Sequence, residues 1–131
     1  MLEFHFDPQG DAPVISAIIS SPKGRRKVQL ILDTGAERTQ LHRRTMSRLG
    51  YTETAKTRSA KAIGVGGSVE NGYMIRVPSI SFLGTVAENV EIAVFDMDYL
   101  GGKNIDGLIG WDFIRQFHIE MNGPKGNLKV F

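Results

Sequence analysis

Leu30-Ile31-Leu32-Asp33-Thr34-Gly35-Ala36 is the stretch that decides how this chain is read. Its aliphatic run has the character of a buried strand, so Asp33 stands at the strand's mouth, in a turn built from Thr and Gly. The same tripeptide is also ordinary turn chemistry, because Asp caps turns and Gly tolerates positive φ. What moves the reading toward a reactive site lies around it: the aliphatic approach, Ala36 behind it, and a second aliphatic segment, Leu108-Ile109-Gly110, far downstream. A plain turn requires none of these.

The 131 residues suit one domain with a real core and are too few for two of ordinary size, so residues 1–131 are expected to form a single domain. Hydrophobic residues make up 41% and charged residues 23%, a balance typical of folded chains rather than disordered ones. The absence of cysteine removes disulfide frameworks, thiolate nucleophiles and thiolate-ligated metal together. A net charge of +2 is too small to argue for nucleic acid as a partner. The one basic cluster, Lys23-Gly24-Arg25-Arg26-Lys27, reads as a solvated hairpin turn. No membrane segment and no leader peptide is legible, which makes a cytoplasmic location the expectation.

Working outward from Asp33, Val14–Ile19 and Val28–Leu32 read as a hairpin that aims the carboxylate outward. Leu41 to Leu49 has helical spacing and Gly50 is its stop. Thr54 to Lys61 reads as a strand edge or loop. Ile63, Gly64, Val65, Gly66 and Gly67 belong to a glycine-dense segment between extended stretches, and Asn71-Gly72 signals a tight turn. Further strands are expected at Tyr73–Val77, Ile80–Leu83 and Val90–Phe95. A second short helix is expected over Trp111–Phe117, with Trp111, Ile114 and Phe117 on one face. Closing strands end at Met121 and Phe131. The sum is mainly β: a closed β-barrel with one or two short helices.

With these residues in place, the chain resembles the retropepsin-like aspartic proteases, the single-domain, retroviral-type group, and in particular its small bacterial members. Asp33-Thr34-Gly35 matches the catalytic motif. Leu108-Ile109-Gly110 resembles the segment that crosses beneath it, and Leu49-Gly50 and Gly110-Trp111-Asp112-Phe113-Ile114 are similar to the bacterial pattern. The resemblance implies the closed barrel of that family, a homodimer, and neither metal nor cofactor. It implies catalysis by Asp33 with Thr34 and Gly35, and substrate binding by Ala36, Ile63, Gly64, Val65, Gly66, Gly67 and Ile109, the glycines forming the tip of a flap over a peptide. Retroviral members carry acidic residues after the motif and an Arg after the downstream Gly. Here Glu37-Arg38 and Trp111 occupy those places, so that ion pair cannot form in the same way.

One carboxylate is a poor catalyst of amide hydrolysis, because a lone Asp near its usual pKa of ~3.9 is a weak base at neutral pH. Two carboxylates sharing a proton divide the work, one as base and one as acid. This chain offers one Asp-Thr-Gly, so a symmetric dimer is the economical source of the second. Asp106 and Asp112 flank the crossing segment but read as a turn residue and an early helix residue. His5, His42 and His118 are too scattered for a metal set, and Gly64–Ser68 lacks the Lys and helix of a phosphate loop. Two functions remain open: a homodimeric aspartic endopeptidase acting on an extended peptide, and a non-catalytic peptide-binding or dimerisation module on the same fold.

Overall fold

The computed structural model describes residues 1–64, 66–100 and 104–131. Among the described residues, ten strands and two short α-helices build a barrel and a small terminal sheet. β1 (Leu2–His5) belongs to the terminal sheet. β2 (Val14–Ser21) and β3 (Gly24–Leu32) form the hairpin expected from their β-rich runs. β2 alternates as its sequence requires: Ile15, Ala17 and Ile19 are buried, while Ser16 and Ile18 face out. β4 (Gln40–His42), β5 (Lys56–Ile63), β6 (Val69–Phe82), β7 (Thr85–Phe95) and β8 (Gly107–Ile109) complete the larger sheet. Its order is β2-β3-β8-β4-β7-β6-β5, and a β2–β6 pairing closes six of these strands into a barrel with β5 as an outer edge. Closure removes most of the unpaired edge that a free sheet would expose.

Among the described residues, two hydrophobic clusters pack against this sheet. Ile19, Val28, Leu30, Leu41, Ile80 and Ile92 are fully buried inside the barrel. Phe82 stacks on Phe113 with centroids 5.1 Å apart, fastening the second helix to the barrel. A smaller cluster of Met74, Ala93, Phe95, Met97, Leu100 and Leu108 gathers Ile31, Ala36, Ala60 and Ala62 against it. That cluster joins β5 to the turn after Asp33.

Four expectations change. Residues 41 and 42 are strand, not helix: α1 spans Arg43–Arg48, capped when the His42 imidazole Nδ1 accepts from the Arg44 amide. Burial, and secondarily the neighbouring Arg44, lowers the His42 pKa, which keeps that nitrogen free to accept. Asn71-Gly72 is not a turn but lies inside β6, paired with Lys61 and Ala60. Gly72 is there for clearance, since a Cβ would stand 2.1 Å from the Val94 carbonyl oxygen. The actual turn is Leu83-Gly84, both at positive φ, between Phe82 and Thr85. Lastly, α2 covers only Trp111–Ile114, and Trp111 is half exposed, so the buried face is Phe113 and Ile114.

β9 (Ile119–Asn122) and β10 (Asn127–Val130) join β1 in the order β1-β10-β9. Phe4 and Leu128 sit opposite each other and turn toward the barrel core, while Glu3, Lys129 and Glu120 form a charged row on the other face.

Asp106 is the structural carboxylate of the barrel. It accepts from Thr45 Oγ1 at 2.7 Å, Arg48 Nη2 at 2.8 Å and the Gln29 amide at 2.8 Å, tying α1 to β3. Replacing it with Ala leaves a buried hydroxyl and a backbone donor without acceptors. Asp106→Ala is therefore expected to cost about 3 kcal/mol, read by urea unfolding. An unchanged midpoint would contradict the clamp.

Glu91 fastens the base of the β5–β6 hairpin. It accepts from Thr57 Oγ1 at 2.8 Å and Arg58 at 3.2 Å, with Arg76 at 3.9 Å, where a bulge in β5 aims Thr57 at it. The hydrogen bonds from Arg58 and then Thr57 hold its carboxyl below the ordinary glutamate value. A depressed carboxyl stabilises the fold above the ordinary value, and that contribution is lost as pH falls through the lowered one. Thermal melts are thus expected to separate wild type from Glu91→Gln at neutral pH and to merge in strong acid. Equal separation at both pH values would contradict the linkage.

Candidate active site

β3 delivers Asp33 to the surface one residue after buried Leu32. The Asp33 amide donates to the Ile109 carbonyl at 2.9 Å, continuing the parallel β3–β8 ladder into the turn. Asp33 Oδ1 accepts from the Gly35 amide at 2.9 Å, and the Ala36 amide donates to the Asp33 carbonyl at 3.3 Å. The carboxylate is therefore oriented by its own turn and stays half exposed, with Thr34 and Gly35 exposed beside it. A reactive group needs this combination of fixed geometry and open access.

Beneath the turn runs residue 110. A Cβ on Gly110 would lie 2.5 Å from the Arg38 carbonyl carbon and 2.9 Å from the Ala36 oxygen, so only glycine lets the two backbones approach. Trp111 N donates to Ala36 O at 2.7 Å and Asp112 N to Glu37 O at 3.1 Å. Asp112 Oδ1 accepts from both Thr39 N and Thr39 Oγ1 at 2.9 Å, and Thr39 Oγ1 accepts from Gly110 N at 3.1 Å. Thr39 is 1% exposed. This Thr39–Asp112 junction occupies the ground where Glu37-Arg38 and Trp111 leave no ion pair. The sequence reading missed it, because the partners stand 73 residues apart and carry no local signal.

The other expected site residues divide into two groups. Ile63 and Val69 pair across the end of the β5–β6 hairpin and are 78% and 57% exposed. Gly64 N donates to Ser68 O at 2.8 Å and Gly67 N to Gly64 O at 3.1 Å, with Gly66 and Gly67 at positive φ. Val65 lies outside the described residues. Further down the same hairpin, Ala60 and Ala62 pack in the cluster that contains Ala36 and Leu108, so β5 leaves from the side of the sheet that carries the Asp33 turn. Ile109, by contrast, is fully buried; its carbonyl, not its side chain, meets the turn.

Asp106 stands apart from Asp33. Parallel pairing sets Gly107 beside Leu30 and so Asp106 beside Gln29, four residues before Asp33 on β3, or about 13 Å at the usual strand rise. With Asp112 held by Thr39, neither flanking carboxylate is placed to share a proton with Asp33. Among the described residues no group of three or more His, Cys, Asp or Glu could hold a metal ion, and no helix is long and apolar enough to cross a membrane.

Comparison with solved structures gives the same architecture. A retropepsin-like aspartic protease from Rickettsia conorii superposes with a TM-score of 0.69 at 18% identity, over 99% of this chain and 97% of that one. The retroviral protease-like domain of Ddi1 from Leishmania major gives 0.60 at 16%, covering 93% and 90%. EIAV protease complexed with the inhibitor HBY-793 gives 0.59 at 21%, covering 82% and 89%. At these identities the likeness is one of fold. No curated protein matches the sequence. Residues 17–113, most of the chain from β2 to the first turn of α2, match the family described as aspartyl protease. A retropepsin-like barrel, an Asp-Thr-Gly turn at the end of β3 and this family match together place the chain in the aspartyl protease family.

Proposed function

We propose that this protein is a homodimeric aspartic endopeptidase in which each copy contributes Asp33 to one site on the two-fold axis. The observation that carries the reading is the Asp33 turn: one carboxylate, oriented by the Gly35 amide and left open, in a chain of the aspartyl protease family. A two-fold axis beside Asp33 brings identical carboxylates face to face, and repulsion between them retains one proton on the pair. The ionised member takes a proton from a water between them as its oxygen attacks the scissile carbonyl carbon. The protonated member gives its proton to the carbonyl oxygen, forming a tetrahedral diol. Collapse of the diol transfers a proton to the amide nitrogen and breaks the C–N bond.

In this reading Thr34 hydrogen-bonds across the axis, and Gly35 and Ala36 bound the floor on which an extended peptide lies. The hairpin that carries Ile63, Gly64, Gly66 and Gly67 closes over the peptide, which adds to it as an extra strand, and excludes water. Ile109 serves from beneath, through its carbonyl. Exposed Ile63 and Val69 favour apolar side chains in the substrate.

Cleavage of a peptide library from acid to neutral pH, with the oligomeric state measured on the same samples, tests the proposal. Cleavage by a dimer with an optimum on the acidic side is expected, because the pair works only while it keeps one proton. A monomer that cleaves nothing at any pH would leave the fold as a peptide-binding module.

A further inference from the structure

The junction behind the turn has a consequence for the reaction. Five hydrogen bonds tie residues 36–39 to residues 110–112: Ala36 O with Trp111 N, Glu37 O with Asp112 N, Thr39 N and Thr39 Oγ1 with Asp112 Oδ1, and Thr39 Oγ1 with Gly110 N. The sixth rung is Asp33 N on Ile109 O, so the strip that holds the carboxylate's own amide is continuous with the strip that Asp112 organises. Asp112 Oδ1 also takes the Phe113 amide at 3.0 Å, which anchors the carboxylate to the first turn of α2. A single oxygen thus gathers three donors, two of them from a residue that is 1% exposed.

We propose that Asp112, through the buried Thr39 hydroxyl, is a positioning residue for Asp33: it sets the height and tilt of the catalytic turn by fixing where 36–39 sits on 110–112. This rests on the aspartic-protease reading for its kinetic consequence and on geometry alone for its structural one. Its logic is that of a support shell, in which a reactive group keeps productive geometry only if the residues holding it are themselves held. The need is greater in a dimeric site, where an error in one copy's turn also misaligns the shared proton. Neither residue touches substrate. The acceptor oxygen is what matters, so Asn serves in place of Asp and Ala does not, while Ser serves in place of Thr39 and Val does not.

Two readouts test the inference on Asp112→Asn, Asp112→Ala, Thr39→Ser and Thr39→Val. Steady-state kinetics at concentrations that saturate the dimer are expected to show kcat down by at least about 10-fold in the Ala and Val variants, with KM within about 2-fold. The Asn and Ser variants are expected to stay within about 3-fold of wild type. Amide hydrogen exchange is expected to quicken in the Ala and Val variants at Gly110 and onward at Asp33 and Gly35, and to stay protected in the Asn and Ser variants. Quickening confined to Thr39 and Phe113, or Asn as impaired as Ala, overturns the inference. If Asp112→Ala fails to fold, the Thr39→Val and Thr39→Ser pair decides by the same readouts. If wild type cleaves no peptide, the endopeptidase proposal falls, and the exchange pattern alone decides whether Asp112 positions the turn.

Discussion

Asp33→Asn is expected to abolish peptide cleavage, a loss of at least about 1000-fold in kcat, while leaving the fold intact. The amide oxygen of Asn can still accept from the Gly35 amide, and the half-exposed position strands no buried charge, so stability should change by less than about 0.5 kcal/mol. The carboxamide nevertheless cannot take a proton from water, nor hold the shared proton that polarises the carbonyl. The variant should therefore dimerise and bind peptide without cleaving it. Kinetics on one preparation, with binding measured by fluorescence anisotropy of a labelled peptide, separates the two effects. Cleavage that survives Asp33→Asn would move the chemistry to another residue.

The second large effect is predicted for a residue with no side chain. Gly110→Ala would put a methyl group 2.5 Å from the Arg38 carbonyl carbon and 2.6 Å from its oxygen. Both neighbours are backbone, held by Trp111 N on Ala36 O and Asp112 N on Glu37 O, and cannot swing aside as a flexible side chain would. The strips must separate, and with them goes the Thr39 Oγ1 bond to Gly110 N. A cost of about 3 kcal/mol is expected, or roughly 10 °C in Tm for a chain of this size. Cleavage at a temperature where the variant remains folded should fall as well, because the same separation shifts the Asp33 turn. A variant with wild-type Tm would show that the approach at residue 110 is not tight.

What was legible in the chain and what was not divides by the range of the interaction. The strand before Asp33, the β2–β3 hairpin and the aliphatic segment ending at Gly110 were readable because periodicity and turn chemistry are local. The family resemblance implies that 108–110 crosses beneath the turn, whereas the parallel register of Leu30 to Leu32 on Gly107 to Ile109 emerges only from the structure. Asn71-Gly72 misled for a physical reason: glycine serves tight turns and close packing alike, and here the Val94 carbonyl and the Phe95 ring require the second. Leu83-Gly84 hid because a buried leucine at positive φ has no turn signature. Helical spacing sets Trp111 on one face with Ile114 and Phe117, but α2 ends at Ile114 and Trp111 stands half exposed. The Thr39–Asp112 junction and the Asp106 clamp both join distant segments. Neither is visible until the barrel closes.

These features bear on how the fold and the proposed chemistry coexist. Acid favours retention of the shared proton yet weakens the Glu91 fastening at the base of the hairpin expected to close over substrate. The working range should therefore lie above the pH at which that fastening is lost. The barrel itself leans on Asp106 and on its aliphatic interior.

The central claim is that one site needs two chains, and mixing tests it most directly. Wild type and Asp33→Asn are combined in equal amounts, allowed to exchange subunits, and assayed at the total concentration used for wild type alone. Random pairing leaves about one quarter of the dimers with two Asp33 carboxylates, so activity should fall to about one quarter. Activity of one half, the value for chains that each carry a complete site, would contradict the account.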